Sequence, residues 1–548
     1  MNHSLLHDFF RWETETPDNI FLRQPVDGQW RTWTFRQAGD EIRGMAAGLR
    51  GLALPPRSNI AILSKNCAHW IMADLAIFLS GHISVPLYAN ITAASIGQIL
   101  EHSGTAAIFV GKLDDYTNQQ HGIPPGVKKI IIDYYGLDGD LRVSDWIKLP
   151  PAATPDDWRA DELMTIMYTS GTTGVPKGVM FNSTAFRFTA DIIVDYLARV
   201  NPLPTHPTLF SYLPLCHIAE RNLTEVLGCR MGATIAFVES LETFPRDLEA
   251  VQPHLFFGVP RIWARFQEKI SEKLPPARLN LLLRIPVIRS VIKKSLAKKL
   301  GLSRALLKAT AAAPIPKSLL EWFDGIGITV REIYGMTEQC ALSHANQEEV
   351  RFGTVGKSLP HVETKFSADD EILTRHEALM MGYYREPEMT QQIFTADGFI
   401  RTGDCGKLDA DGFLTITGRV KDIFKTDKGK YVSPSPIEMR LQKNPDIDQV
   451  CVVGMGIPQP IALVVLSGVA KAKSPEAIQQ SLSATLAEVN QQAEDYEKLR
   501  KVVIMKTDWS IANGLMTPTL KVKRNEVEKI HLPHYPDWYR RETVVVWE

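Results

Sequence analysis

Cysteine is scarce in this chain. Among 548 residues there are six (Cys67, Cys216, Cys229, Cys340, Cys405 and Cys451), and no two form a CxxC pair. That spacing suits neither a disulfide framework nor a zinc site; free thiols in a reducing compartment are expected. Net charge is also scarce. The 61 Lys plus Arg nearly cancel the 62 Asp plus Glu, leaving a formal charge of −1. No global field drives the chain onto nucleic acid or acidic lipid, so nucleic acid is not expected as a partner, although local basic patches are allowed. Long apolar runs are missing. The most apolar stretch, Trp70 to Tyr88, is interrupted by Asp74, His82 and Pro86. It predicts a buried helix followed by a strand rather than a membrane span. Met1 to Asn19 carries Asp8, Glu13 and Glu15 and lacks the basic start and apolar run of a signal peptide, so a cytoplasmic location is expected. There is no repeat of fixed period, no low-complexity tract, no HExxH and no GxSxG. Gly356-Lys357-Ser358 ends like a Walker A loop, but the required first glycine falls at Arg351. Gly454-Met455-Gly456 begins like a dinucleotide fingerprint, but Gln459 occupies the third glycine position.

What is present is ordinary globular material, 45 % apolar and 22 % charged, enough for a large core and roughly two to four domains. Helical and strand-like segments alternate. Ala73 to Leu79 is apolar, Ile83 to Leu87 predicts a short strand, Thr92 to His102 a helix and Ala106 to Val110 another strand. This alternation predicts α/β layers with mostly parallel sheets. Leu163 to Met167 predicts a buried strand that feeds a polar Gly/Thr loop. The last quarter reads as a separate small domain. Val450 to Val453 and Leu463 to Leu466 predict strands, and Ser474-Pro475-Glu476 starts a helix with an N-cap, a first-turn proline and an acid. Ile478, Leu482, Leu486, Val489, Ala493 and Tyr496 follow at helical spacing. The charged stretch Gly418 to Lys425 suggests a boundary near residue 420.

One segment departs from the neutral balance. Between Glu272 and Glu321 there is no acid, but there are eleven Lys or Arg, among them Arg284, Arg289, Lys293, Lys294, Lys298 and Lys299. Leu281, Leu283, Ile285, Ile288, Val291, Ile292 and Leu296 are interleaved. Residues 277–300 therefore read either as a basic amphipathic helix for an anionic membrane surface or as a surface helix with a solvated charged face.

The loop Tyr168-Thr169-Ser170-Gly171-Thr172-Thr173-Gly174-Val175-Pro176-Lys177-Gly178 carries the most chemistry. Glycines let backbone turn closely around a ligand, and hydroxyls plus one lysine supply donors suited to phosphate oxygens. A polar surface loop would have a similar composition. The loop closely resembles the signature of the adenylate-forming superfamily of acyl-CoA synthetases, luciferases and peptide-synthetase adenylation domains. Further stretches resemble that family in its order: Leu213-Pro214-Leu215-Cys216-His217-Ile218-Ala219-Glu220-Arg221, Gly258-Val259-Pro260-Arg261-Ile262-Trp263, Ala311-Ala312-Ala313-Pro314, Tyr334-Gly335-Met336-Thr337-Glu338, Arg401-Thr402-Gly403-Asp404, Gly418-Arg419-Val420-Lys421-Asp422 and Thr517 to Arg524. The Gly258 to Trp263 stretch and the Thr517 to Arg524 ending look most like the long-chain fatty acyl-CoA synthetase branch.

This resemblance implies a large layered α/β domain over residues 1–420, with mostly parallel sheets flanked by helices, and a small mobile α+β domain over 421–548. It implies attack of a carboxylate on the α-phosphate of ATP to give acyl-AMP and pyrophosphate, then transfer to coenzyme A. A carrier-protein thiol, or an aryl or polyketide-like acid, is the alternative. Thr169, Ser170, Gly171, Thr172, Thr173, Gly174 and Lys177 would hold phosphates. Glu338, with Thr172, would hold Mg²⁺. Thr337 would donate to the α-phosphate, Tyr334 would stack on adenine beside Gly335, and Ala312 and Ala313 would let backbone approach the base. The family commonly has Ser-Gly where this chain has Thr310-Ala311. Asp404 would accept from the ribose hydroxyls and Arg419 would donate to ribose or phosphate. Lys521 would carry adenylation. His217, Val259 and Trp263 would line the acyl site. Lys421 would be the hinge, and Gly429, Lys430 and Tyr431 the coenzyme A face, where many long-chain members have Gly-Glu-Tyr. Substrate, acceptor, an oligomeric assembly and peripheral contact with the inner membrane surface complete the expected partners.

Overall fold

The computed structural model describes residues 4–151, 161–169, 176–517 and 521–548. Its centre is an eight-stranded sheet. Leu163–Thr169, Ile83–Leu87, Asn59–Leu63, Ala107–Val110, Lys128–Ile131 and Leu141–Arg142 run parallel in that spatial order. Lys177–Asn182 and then Gly382–Tyr383 add antiparallel strands on the Leu163–Thr169 side. The helix Ala68–Leu79 is buried along its whole length. This matches its sequence, which is apolar all round rather than striped. The helix Ala93–Ser103 starts on the Thr92 side chain, which accepts from Ser95 N–H, and ends at left-handed Gly104.

A second layer joins Thr208–Ser211, Thr234–Phe237, Ile20–Val26 and Gln29–Thr34. A third contains parallel Leu255–Phe257, Leu307–Thr310 and Arg331–Tyr334, extended by two short antiparallel strands, His344–Ala345 and Lys357–Ser358. A four-stranded sheet, Glu363–Phe366, Glu371–Arg375, Ile400–Leu408 and Leu414–Arg419, is antiparallel throughout. Parallel pairing thus dominates the layers flanked by helices, while this sheet before residue 420 does not share it. The alternation expected from the sequence does not distinguish the two kinds.

Beyond it, Ile447–Val453, Ile461–Leu466, Lys501–Ile504 and Val545–Trp547 form a mixed sheet with its own two apolar clusters. Ser474 caps the helix Pro475–Gln491 as its sequence predicts, and Ile478, Leu482, Leu486 and Val489 are buried. The helix stops at Gln491, so Ala493 and Tyr496 lie beyond the periodic pattern that seemed to include them. The basic segment is two helices, Pro276–Leu283 and Pro286–Lys299, not one, because Pro286 cannot donate within a continuous helix and restricts the residue before it. All six cysteines are buried and free. Among the described residues no helix is long and apolar enough to cross a membrane.

Candidate active site

Neighbouring parallel strands bring their C-terminal ends to one edge of a sheet, where ligands bind in layered α/β folds. Here that edge receives Gly258–Val259 from Leu255–Phe257, Ala311–Pro314 from Leu307–Thr310, and Gly335–Thr337 from Arg331–Tyr334. The Tyr212 hydroxyl donates to the Phe257 carbonyl at 2.7 Å, bringing the end of Thr208–Ser211, and with it the run to His217, to the same edge. Ala312 holds a left-handed conformation at φ +73°, unfavourable for a residue with a Cβ by about 1–2 kcal/mol. Gly335 has no alternative: a Cβ there would sit 2.5 Å from the Ala341 backbone.

Asp404 is buried on the strand Ile400–Leu408, one residue after left-handed Gly403. One of its oxygens accepts from the Tyr334 hydroxyl at 2.8 Å, the other from Arg419 Nε at 2.7 Å. The nearby carboxylate raises the Arg419 pKa further, and burial beside it pushes the Tyr334 phenol well above its ordinary value. Tyr334 is thus fixed at its hydroxyl, and Asp404, with up to about four acceptor sites, retains capacity for a diol.

Thr169 and Lys177 face each other across the antiparallel pair Leu163–Thr169 and Lys177–Asn182, so the described residues on either side of the glycine loop are held side by side. Ser170, Gly171, Thr172, Thr173 and Gly174 lie outside the described residues. The Lys177 ammonium sits 5.3 Å from the centre of the Tyr383 ring. Burial lowers its pKa, as does Lys421, while Glu338 opposes the shift. Tyr383 also donates its hydroxyl to Glu338 Oε1 at 2.8 Å, and the Glu338 carbonyl accepts from Met380 N–H. Glu338 and Thr337 stand on a short 3-10 turn after Tyr334-Gly335. A carboxylate anchored through one oxygen still offers hard oxygen donors, so Glu338 fits Mg²⁺. Sequence reasoning missed Tyr383. It reaches this place by pairing with Val179, some 200 positions earlier, a relation no local spacing displays.

Lys521 belongs to the last quarter of the chain, yet its surroundings are Arg419, Asp404 and His217. Burial, then Arg419, push its pKa down to about 8, and Asp404 opposes them. By surface area Lys521 is nonetheless exposed, so the protein groups crowd it on one side while the other faces solvent. His217 caps the short helix Ile218–Glu220, its Nδ1 accepting from Ala219 N–H at 3.3 Å. Burial and then Lys521 push His217 down to about 4, so it is neutral near pH 7. Arg261 and Asp448, 3.2 Å apart, make another bridge between the body and the last quarter. Lys421 is exposed in the turn Val420–Asp422, and neighbouring Asp422 lies 3.8 Å from Arg524.

Other expected residues stand apart from this cluster. Trp263 is fully enclosed, edge-to-face with Phe256 and Phe323, and its indole N–H donates to the Gly258 carbonyl at 3.0 Å. It backs the wall at Gly258–Val259, and half-buried Val259 starts the helix Pro260–Lys273. Gly429, Lys430 and Tyr431 lie at the solvent-exposed end of the hairpin Phe424–Lys425 and Tyr431–Val432, with the Lys430 ammonium 6.0 Å from the Tyr496 ring. Two further buried features lie behind His217. Glu220 accepts from Ser211, Tyr212 N–H and Thr224, and burial raises it to about 8. Arg221, in a π-helical turn over Arg221–Val226, binds Asp74, Glu225 at 3.0 Å, and Thr165 at 2.9 Å on the strand leading to Thr169.

The pattern of the family described as AMP-binding enzyme matches residues 9–384, and that of the AMP-binding enzyme C-terminal domain matches 421–542. The long-chain-fatty-acid–CoA ligase FadD15 of Mycobacterium bovis is 28 % identical over 94 % of each chain. The long-chain-fatty-acid–CoA ligase ACSBG2 of Gallus gallus is 25 % identical over 95 % of this chain and 79 % of its own. The fold superposes on the anthranilate CoA ligase AuaEII in complex with anthranoyl-AMP with a TM-score of 0.77 at 20 % identity, covering 96 % of this chain and 97 % of that one. The A-PCP didomain of carboxylic acid reductase from Segniliparus rugosus, in complex with AMP, gives 0.80 at 22 % identity, with 98 % and 82 % covered.

Proposed function

Since the chain belongs to the AMP-binding enzyme family, we propose that it is an AMP-forming acid–thiol ligase that activates a medium- or long-chain fatty acid with ATP and transfers the acyl group to coenzyme A. One observation carries the reading most directly: Lys521, from the last quarter of the chain, lies within electrostatic reach of Asp404, Arg419 and His217 of the body. Adenylation brings a carboxylate against a polyphosphate, so it needs cations and aimed donors where negative charge accumulates. Lys521 supplies a flexible cation for the carboxylate and α-phosphate. Thr337 donates to the α-phosphate. Asp404, already fixed by Tyr334 and Arg419, accepts from the ribose hydroxyls. Tyr334 and Gly335, with Ala312 and Ala313, bound the adenine. Thr169, Lys177 and the glycine loop between them hold the outer phosphates. Glu338, with Thr172 of that loop, holds Mg²⁺, which would screen the phosphate charges when bound. His217, neutral and half-buried, lies beside the carboxylate, and Val259, backed by Trp263, lines the acyl chain.

The acyl carbon then accepts a thiol and AMP leaves. We assign residues 421–548 as the mobile unit, Lys421 as its hinge, and Gly429, Lys430 and Tyr431 as the face presented to the thiol carrier. The reading of a fatty acid rests on the FadD15 and ACSBG2 relatives, and on the apolar wall around Val259. Lys430, a surface cation at the acceptor face, favours a carrier protein as the second reading of the acceptor. A panel of carboxylic acids assayed for pyrophosphate release, with and without coenzyme A, tests both steps. Release with fatty acids and thioester formation on adding coenzyme A are expected. Release with no coenzyme A thioester would move the assignment to the carrier protein.

A further inference from the structure

The helices Pro276–Leu283 and Pro286–Lys299 have two opposite faces of unusual composition. Inward, Leu279, Leu283, Ile292, Leu296 and Leu300 pack onto the core cluster that contains Phe256 and Trp263. Outward, where a soluble surface helix normally carries polar side chains, apolar residues are exposed: Val287 by 76 %, Val291 by 63 %, Leu281 by 61 % and Ile285 by 45 %. Val287, Val291, Lys294 and Lys298 follow one another at spacings of four, three and four, a single stripe at α-helical period. That stripe lies opposite Ile292 and Leu296.

The charge is equally one-sided. The two helices and their linker hold seven cations (Arg278, Arg284, Arg289, Lys293, Lys294, Lys298 and Lys299) and no acid. None of the seven is in an ion pair among the described residues, although exposed arginines elsewhere, such as Arg351 and Arg375, do pair with acids. An apolar stripe edged by unpaired cations is complementary to an anionic bilayer, whose headgroups take the lysines while the valines enter the acyl boundary. A protein partner would more readily match a mixed-charge rim.

We propose that this helical pair is a docking surface for an anionic lipid bilayer, by which the enzyme sits on the surface that holds its apolar substrate. The substrate clause rests on the fatty acid reading given above; the docking itself does not. The inward residues join or pack against the one apolar cluster that also holds Phe256 and Trp263, so the docked face and the proposed acyl wall share one core.

Flotation of the full chain with vesicles tests this without any activity readout. Vesicles of phosphatidylglycerol and phosphatidylcholine in equal parts should carry the protein up the gradient, and pure phosphatidylcholine should carry at least tenfold less. Raising the salt should weaken binding, and V287D/V291D and K294E/K298E should each reduce it at least fivefold. Both variants change exposed positions and should keep the wild-type circular dichroism and pyrophosphate release with a water-soluble short-chain acid. Equal flotation of wild type and both variants would overturn the proposal. So would no flotation of the wild type, including the case in which ultracentrifugation shows the stripe pairing two copies of the chain. Wild-type flotation without activation of any fatty acid would overturn the substrate reading alone.

Discussion

Tyr383 donates its hydroxyl to Glu338 while the face of its ring lies 5.3 Å from the Lys177 ammonium. One side chain therefore contacts both Glu338 and Lys177, the acid and the base of the proposed phosphate site. Burial and the Glu338 charge hold its own proton well above the ordinary phenol range, so it stays a donor across neutral pH. Tyr383→Phe keeps the ring and removes only that bond. A hydrogen bond to a charged group contributes about 1.5–3 kcal/mol, so the apparent affinity for MgATP should fall about 10- to 100-fold. The fatty acid KM should stay within about twofold. Initial-rate measurements at varied Mg²⁺, with equilibrium nucleotide binding alongside, check this.

With Lys521 in its proposed role, its value of about 8 predicts a pH limit for adenylation. The cation is the useful form and is lost as pH rises, so the protonated fraction drops from about 90 % at pH 7 to about 10 % at pH 9. Pyrophosphate release should fall along that limb. Lys521→Arg should remove the limb, because guanidinium keeps its proton. Lys521→Ala should abolish acyl-AMP formation and largely spare thioester formation from supplied acyl-AMP. Equal loss of both half-reactions would reject the assigned role.

Asp404→Asn should weaken ATP binding by about 1–3 kcal/mol, because an amide cannot accept from Tyr334 and Arg419 and still serve a diol through two oxygens. Deoxy nucleotides provide the control: wild type should discriminate against 2′- and 3′-deoxy ATP, and the variant should not. Equal discrimination by both proteins would remove Asp404 from the ribose.

The stretches whose neighbours lie close in sequence were legible before the fold was known. Ser474 capping Pro475–Gln491 is a local hydrogen bond between residues three apart, which sequence records directly, and Thr92, expected as the first residue of its helix, caps Ala93–Ser103 in the same way. The end of the first of these helices was not legible. Ala493 and Tyr496 fit the period, but the helix stops at Gln491, and Tyr496 instead meets the ammonium of Lys430 on a distant hairpin. Asp404 could be singled out as a candidate, but not its clamps: strand register sets Arg419 opposite it, and Tyr334 reaches it from a different sheet. Tyr383 is the extreme case, having neither charge nor motif spacing to mark it.

The Arg221 cluster is a stability determinant. Its guanidinium is the cation between two wholly buried carboxylates, Asp74 and Glu225, and burial keeps Glu225 well above the ordinary acid range. Arg221→Met would leave those groups unpaired and should cost about 3–5 kcal/mol, seen as a lower urea midpoint. Adding Asp74→Leu should recover part of the loss. If the single substitution left the midpoint unchanged, the cluster would hold little of the fold.

The edge strand Gly382–Tyr383 closes the eight-stranded sheet next to Lys177–Asn182, and this has a temporal consequence. A chain made from its N-terminus exposes the outer side of Lys177–Asn182 until the later strand emerges, roughly 200 residues on. At about 5–20 residues per second that interval lasts roughly 10–40 seconds. Through it the nascent chain carries an open row of backbone donors and acceptors along Lys177–Asn182, the kind of edge that recruits other strands. On the ribosome, the residue that will bond Glu338 therefore also ends the interval in which this edge is open.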